Sequence, residues 1–149
     1  MTRRPKSTAA ASIIDAGTLQ AYRETEYRVL GEQPLTLRVG QVSAGLLALH
    51  KSHKVPCSAF LTACNPFSQR CDDDANASRQ AALAGELARR GLAFAAGIGQ
   101  HPSNEWPGED SFLVFGLDLK SAKALGARFE QNGFIWSSAD AVPQLILLR

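Results

Sequence analysis

The sequence predicts an α/β domain of the α+β kind, a mixed β-sheet of about six to seven strands with helices packed on it. Three observations carry this expectation. A chain of 149 residues has the length of one domain, and by burying roughly 68–70% of its unfolded surface it can fold without a metal or disulfide. Its residues are 45% hydrophobic and 20% charged, the balance of a globular protein, and no apolar run of about 18 residues is present to cross a membrane. Its hydrophobic periodicity reads helix, strand, strand, helix, strand, helix, strand, strand, helix, strand, strand. The three adjacent strand pairs in that order argue against the fully parallel sheet that strict alternation would give.

Residues 1–14 read as a disordered basic arm, with Arg3, Arg4 and Lys6 ahead of any acidic residue, and residues 15–149 as a single α/β domain. Thr18 to Glu26 is expected to form a short helix, with Leu19 and Tyr22 on one face. TEYRVL and PLTLRVG read as strands joined through Gly31 and Pro34, and Leu35, Leu37 and Val39 alternate with polar or small residues. Ser43 is placed to cap the helix AGLLALHKSHK, which Pro56 ends. CSAFLTAC is mostly apolar and reads as a central strand, broken by Asn65-Pro66. The helix from Ala75 to Arg90 carries Leu83 and Leu87 on one face, aspartates at its positive end and Gly91 just past its last turn. AFAAGIG and SFLVFGL are strands on either side of a polar loop. Ala122, Leu125, Gly126 and Phe129 follow helical spacing after a cap at Asp118 or Ser121, and the strands GFIWSS and PQLILL close the order.

The net charge is +2, and the arm supplies three positive charges, so the body is close to neutral. A dedicated nucleic-acid binder shows a basic face, and nucleic-acid binding is not expected here. The arm is too polar for a secretory signal, and a cytoplasmic location is expected. Cys57, Cys64 and Cys71 are odd in number, and their odd separation puts the first two on opposite faces of a strand; free thiols and no metal site follow. His50 and His53 read as a surface helix terminus, and Asp72, Asp73 and Asp74 as a helix cap. Gly97-Ile98-Gly99 is not followed by a helix, so no dinucleotide loop and no cofactor are expected. His101, Glu105, Glu109 and Asp110 share a loop that either does acid–base work or is simply solvated. Trp106 within it either anchors the loop to the core or stacks on a ligand.

Taken together, Thr62-Ala63-Cys64-Asn65-Pro66, Trp106 with Glu109-Asp110-Ser111-Phe112, and Phe129-Glu130-Gln131-Asn132-Gly133 resemble a bacterial family, domain of unknown function 3293. Thr62-Ala63-Cys64-Asn65-Pro66 resembles its T-A-x-N-P segment, and Asn76 with the Leu83 and Leu87 helix follows in the family's order. Trp106 and Glu109-Asp110-Ser111-Phe112 resemble its W-x-E-x-S-F stretch, and Phe129-Glu130-Gln131-Asn132-Gly133 its F-x-Q-N-A stretch, with glycine in place of the usual alanine. Tyr22 to Tyr27 resembles its opening Y-x-x-T-x-Y. The resemblance implies a small cytoplasmic bacterial protein; it carries no established activity and supplies no catalytic residues.

The residues with the best claim to a site cluster by inference. Thr62 and Asn65 end the central strand, and Asn76 begins the following helix, an arrangement that offers free N–H donors at a sheet's carboxyl edge. Arg79, one turn further on, is a candidate anion clamp. Glu109, a candidate general base, and Ser111 start the other strong strand; if that strand pairs antiparallel with the central one, they lie beside Asn65. Gln131 and Asn132 end the last long helix and can reach the same rim. One reading is a site for a small anionic molecule. The alternative is a protein-interaction or regulatory module in which the same polar groups merely hold loops. No activated nucleophile can be identified, so enzymatic activity, reaction type and oligomeric state stay open.

Overall fold

A computed structural model describes residues 12–149. Among them, the elements follow in the expected order: α1 (Ala16–Glu24), β1 (Glu26–Val29), β2 (Leu35–Leu37), α2 (Ala44–His53), β3 (Ser58–Leu61), α3 (Asp73–Arg89), β4 (Phe94–Gln100), β5 (Glu109–Phe115), α4 (Leu119–Arg128), β6 (Gly133–Ser137) and β7 (Gln144–Leu147). A short 3-10 turn at Pro66–Ser68 follows β3. Each helix opens on a side-chain cap: Asp15, Ser43, Asp72 and Asp118 accept the N–H of Thr18, Leu46, Ala75 and Ser121. These caps explain why α1 and α3 begin slightly before the expected Thr18 and Ala75. Residues 1–11 of the expected arm lie outside the described residues. Residues 12–14 are tied to the domain: the Ser12 hydroxyl donates to the Arg149 carbonyl at 2.6 Å, and Ile14 is buried, as an isoleucine with an apolar site within reach should be.

The strands form one sheet in the order β2-β1-β4-β5-β3-β6-β7. The α+β class stands, but the expected mixed sheet does not: all of its pairings are antiparallel. The reason lies in the helical crossovers. The link through α3 carries the chain from β3 to β4 with β5 between them, and the link through α4 carries it from β5 to β6 with β3 between them. Strands joined through a helix therefore run parallel yet never touch. The segment from β3 to β6 is a pair of interleaved split βαβ units, extended by β1 and β2 on one side and β7 on the other.

Side chains alternate across this sheet and divide the core in two. On one face, Ala59, Val114 and Phe134 pack against Leu83 and Leu87 of α3 and Leu125 of α4. On the other, Phe60, Leu113 and Ile135 pack with Leu37 and with Leu46 of α2. The sheet curls around this second face. Its far edges are stitched together where the Gly40 and Ser43 N–H groups donate to the Pro143 and Ala141 carbonyls, at 2.8 and 2.9 Å. Among the described residues no helix is long and apolar enough to cross a membrane.

Candidate functional site

The concave face is only partly filled. Leu46 of α2 closes part of it, while α1, which buries none of its residues, lies over the remainder. Between α1 and the sheet is a cavity of about 370 Å³, the size that takes a small organic molecule. Phe60, Ile135 and Leu145 supply apolar lining, α1 contributes Ala21 and Tyr22, and the loop between β4 and β5 contributes His101 and Trp106.

Two polar groupings face this cavity. The first follows from the antiparallel register of β3 and β5, in which Leu61 pairs with Phe112. The chain leaving β3 then runs beside the start of β5. There Thr62 Oγ1 donates to the Asp110 carbonyl at 2.7 Å, and Asn65 Nδ2 donates to Glu109 Oε2 at 2.6 Å. Asn65 has a left-handed backbone, φ 49°. Its Oδ1 accepts the Cys71 N–H and the Asn76 side-chain amide, both at 2.9 Å, and its own N–H donates to Asn76 Oδ1 at 2.8 Å. A backbone N–H can only donate, so the Asn65 amide is fixed with its nitrogen toward Glu109. Trp106 Nε1 donates to the same Glu109 Oε2 at 3.4 Å, while Oε1 has no partner among the described residues. Burial lifts the Glu109 carboxyl above the ordinary glutamate range, and the bonds from Asn65 and Trp106 only partly pull it back.

The second grouping joins Tyr22 of α1, Ser68 of the turn after β3, and Asn132 at the start of the last hairpin. Asn132 Nδ2 donates to both the Tyr22 and Ser68 hydroxyls at 3.0 Å, and the two hydroxyls bond each other. Arg149 donates to Asn132 Oδ1 at 3.1 Å and lies over the Phe67 ring. The Tyr27 hydroxyl is spent on the Tyr22 carbonyl at 2.6 Å, which ties β1 to the end of α1.

Of the residues singled out from sequence, Thr62, Asn65, Glu109, Ser111 and Gln131 line the cavity. Several of them also hold backbone: Ser111 Oγ donates to the Glu109 carbonyl at 3.0 Å, and Gln131 Nε2 donates to the Cys64 and Phe129 carbonyls at 3.1 Å each. Asn76 stands behind Asn65. It lines a second cavity of about 310 Å³ with Arg70 and Cys71, and this cavity shares Asn65 and Glu109 with the first. Arg79 is not in the cavity lining, which corrects the expected anion clamp. Its guanidinium donates to the Ala63 carbonyl at 2.7 Å and the Phe129 carbonyl at 2.6 Å, and it pairs with Glu130 at 3.4 Å. Two carbonyls and a carboxylate use the fork that an anion would need.

His50 departs from the expected surface terminus, while His53 is exposed at the end of α2 as expected. His50 is buried, with Nε2 at 2.8 Å from Ser58 Oγ, and His53 stacks on Phe115 with ring centroids 3.8 Å apart. The helix turns this end toward the sheet, where burial pushes the His50 imidazole below its ordinary range. His101 pairs with Glu24 of α1 at 3.0 Å rather than with a carboxylate of its own loop. Trp106 is 38% exposed, bonded to Glu109 and lining the cavity, so the core does not enclose it. Tyr22 and Ser68 escaped the sequence reading as site residues. Tyr22 had a visible signal in the Tyr22 to Tyr27 stretch; Ser68 had only its nearness to Asn65.

Residues 61–133 match the model of a family described as protein of unknown function, DUF3293. No curated protein and no solved structure matches the chain.

Proposed function

From a chain that carries the DUF3293 family segment over residues 61–133, we propose a protein that binds a small, non-anionic organic molecule in the cavity beneath α1, with Glu109 as its polar anchor. The observation that carries this reading is the state of Glu109: a largely buried carboxyl with one oxygen held by Asn65 and Trp106 and the other unpartnered among the described residues. That free oxygen keeps exposure at the cavity wall and can accept a hydrogen bond from a ligand. Four of the stretches that carry the family resemblance send residues here: Tyr22, Thr62, Glu109 and Gln131 come from separate parts of the chain and line one space. An anionic ligand, the expectation from sequence, loses its support with Arg79 engaged elsewhere and a carboxylate on the cavity wall. Bacterial origin and cytoplasmic location, implied by the family resemblance and in keeping with three free thiols, are part of the same proposal.

The test uses the two tryptophans. Trp106 lines the cavity, whereas Trp136 donates its indole N–H to the Leu117 carbonyl at 3.1 Å on the opposite face and serves as an internal control. Benzyl alcohol, benzylamine and benzoate are titrated into protein with nitrogen-15 indoles. The expected result is that benzyl alcohol and benzylamine move the Trp106 resonance and leave Trp136 in place, and that benzoate moves neither. A Trp106 resonance that responds to no neutral or cationic probe, or to benzoate alone, overturns the proposal.

A further inference from the structure

The Tyr22, Ser68 and Asn132 cluster holds more hydrogen-bond protons than its own acceptors use, which sets the chemistry of a ligand if the binding reading above holds. Arg149 can only donate, so its bond to Asn132 Oδ1 fixes that amide with both N–H groups toward the two hydroxyls. Those N–H groups are consumed on Tyr22 Oη and Ser68 Oγ. The hydroxyls bring two protons of their own, and their mutual bond uses one. Whichever hydroxyl is the donor in that bond, the other keeps a proton with no acceptor among the described residues. Tyr22, Ser68 and Asn132 all line the cavity. The cavity thus offers one unspent donor at this cluster and one unspent acceptor at Glu109 Oε1, with aromatic and aliphatic side chains around them.

We infer that the ligand is an amide-type compound, a carboxamide or lactam on an apolar body. Its carbonyl oxygen takes the spare hydroxyl proton of Tyr22 or Ser68, and its N–H donates to Glu109. An amide carries its strong acceptor and its strong donor on separate atoms of one neutral group, so each residual group meets its own atom without a second charge being buried.

Three probes with one phenyl ring separate the contributions: benzamide carries both groups, acetophenone only the acceptor, and aniline only the donor. Benzamide is expected to bind about tenfold more tightly than either of the others, a difference of about 1.4 kcal/mol. Replacing Tyr22 by Phe or Ser68 by Ala singly leaves one hydroxyl that still has a free proton, so benzamide keeps its advantage over aniline. The double variant Tyr22→Phe with Ser68→Ala loses that advantage, because the Asn132 amide then lies 3.0 Å further back. In Glu109→Gln the side-chain oxygen must still accept from Asn65 and Trp106, so its NH₂ takes the free oxygen's place. Benzamide and aniline then weaken, and acetophenone does not. Benzamide binding no tighter than aniline or acetophenone, or an advantage that survives the double variant, overturns the amide assignment while leaving the cavity a binding site. Failure of all three probes to move Trp106 counts against the binding reading itself.

Discussion

Glu109 and His50 are titratable groups that the fold moves off their ordinary values, and their pH signatures have opposite signs. Burial raises the Glu109 value, so the folded chain binds that proton more tightly than the unfolded one. Its contribution to stability is complete below the ordinary value of 4.5 and is lost as pH rises through the raised value. Replacing Glu109 by Gln should therefore stabilise the protein at neutral pH by roughly 0.5–2 kcal/mol while removing donor-ligand binding, the trade expected where a site keeps a costly charge. Urea denaturation at several pH values checks this; a variant less stable than the parent at pH 7 would assign Glu109 a purely structural role. For His50 burial lowers the value, so its contribution is present above 6.5 and lost as pH falls through the depressed value. In His50→Gln the acid-side loss of stability should be shallower, measured as the unfolding midpoint between pH 7 and about 4, where other carboxylates begin to titrate.

At the scale of elements, Arg79 is a staple rather than a ligand contact. It joins α3 to the end of β3 through the Ala63 carbonyl and to the end of α4 through the Phe129 carbonyl. Charge-assisted bonds to carbonyls are each worth about 1.5–3 kcal/mol, and both of these are part-buried, so Arg79→Ala should cost at least about 2 kcal/mol in urea denaturation. The binding of neutral probes near Trp106 should change little in the surviving folded protein. A variant of parental stability would show that the staple carries no load. The helix α1 is the opposite kind of element. It buries no residue and is held by polar contacts, among them Asn132 to Tyr22 and His101 to Glu24. Its amides should exchange with deuterium at least about a hundredfold faster than those of α3, since local opening there exposes little apolar surface. Ligand bound beneath it should slow that exchange. Equal protection of the two helices in the free protein would contradict this account.

Over the whole molecule, the curl of the sheet makes the cavity, and glycines permit the curl. A Cβ on Gly97 of β4 would stand 2.7 Å from the Arg28 carbonyl and 2.8 Å from the Phe60 ring. One on Gly133 of β6 would stand 2.6 Å from the Ile146 carbonyl. The Arg28 and Ile146 contacts are to backbone in paired strands, so the strands must part to make room. Gly97→Ala should cost about 1–3 kcal/mol, the usual range for overpacking, and should also disturb Phe60 in the cavity wall. Thermal unfolding with near-ultraviolet circular dichroism reads both effects; unchanged stability would mean the sheet tolerates a flatter course. Gly97, which with Gly99 invites comparison in sequence with a phosphate-binding loop, belongs instead to close strand packing, whereas a Cβ on Gly99 would meet nothing nearer than 3.8 Å.

The order of helices and strands was legible because it is local. Periodicity marks each element, and Asp15, Ser43, Asp72, Asp118, Pro56 and Gly91 supply caps and stops through bonds to near neighbours. The meeting of Asn65 with Glu109 was legible too, since an antiparallel pairing of two strong strands brings their opposite ends together. What the sequence alone determined is thus the set of elements and one edge of the site. The tertiary structure decided the rest. Which strand slips between two others sets every pairing antiparallel, and that depends on long-range packing of α3 and α4. Whether an arginine faces a cavity or two carbonyls, and whether His50 is buried, depends on side-chain partners distant in sequence. The Tyr22, Ser68 and Asn132 cluster unites residues up to 110 positions apart, a proximity that no local pattern encodes.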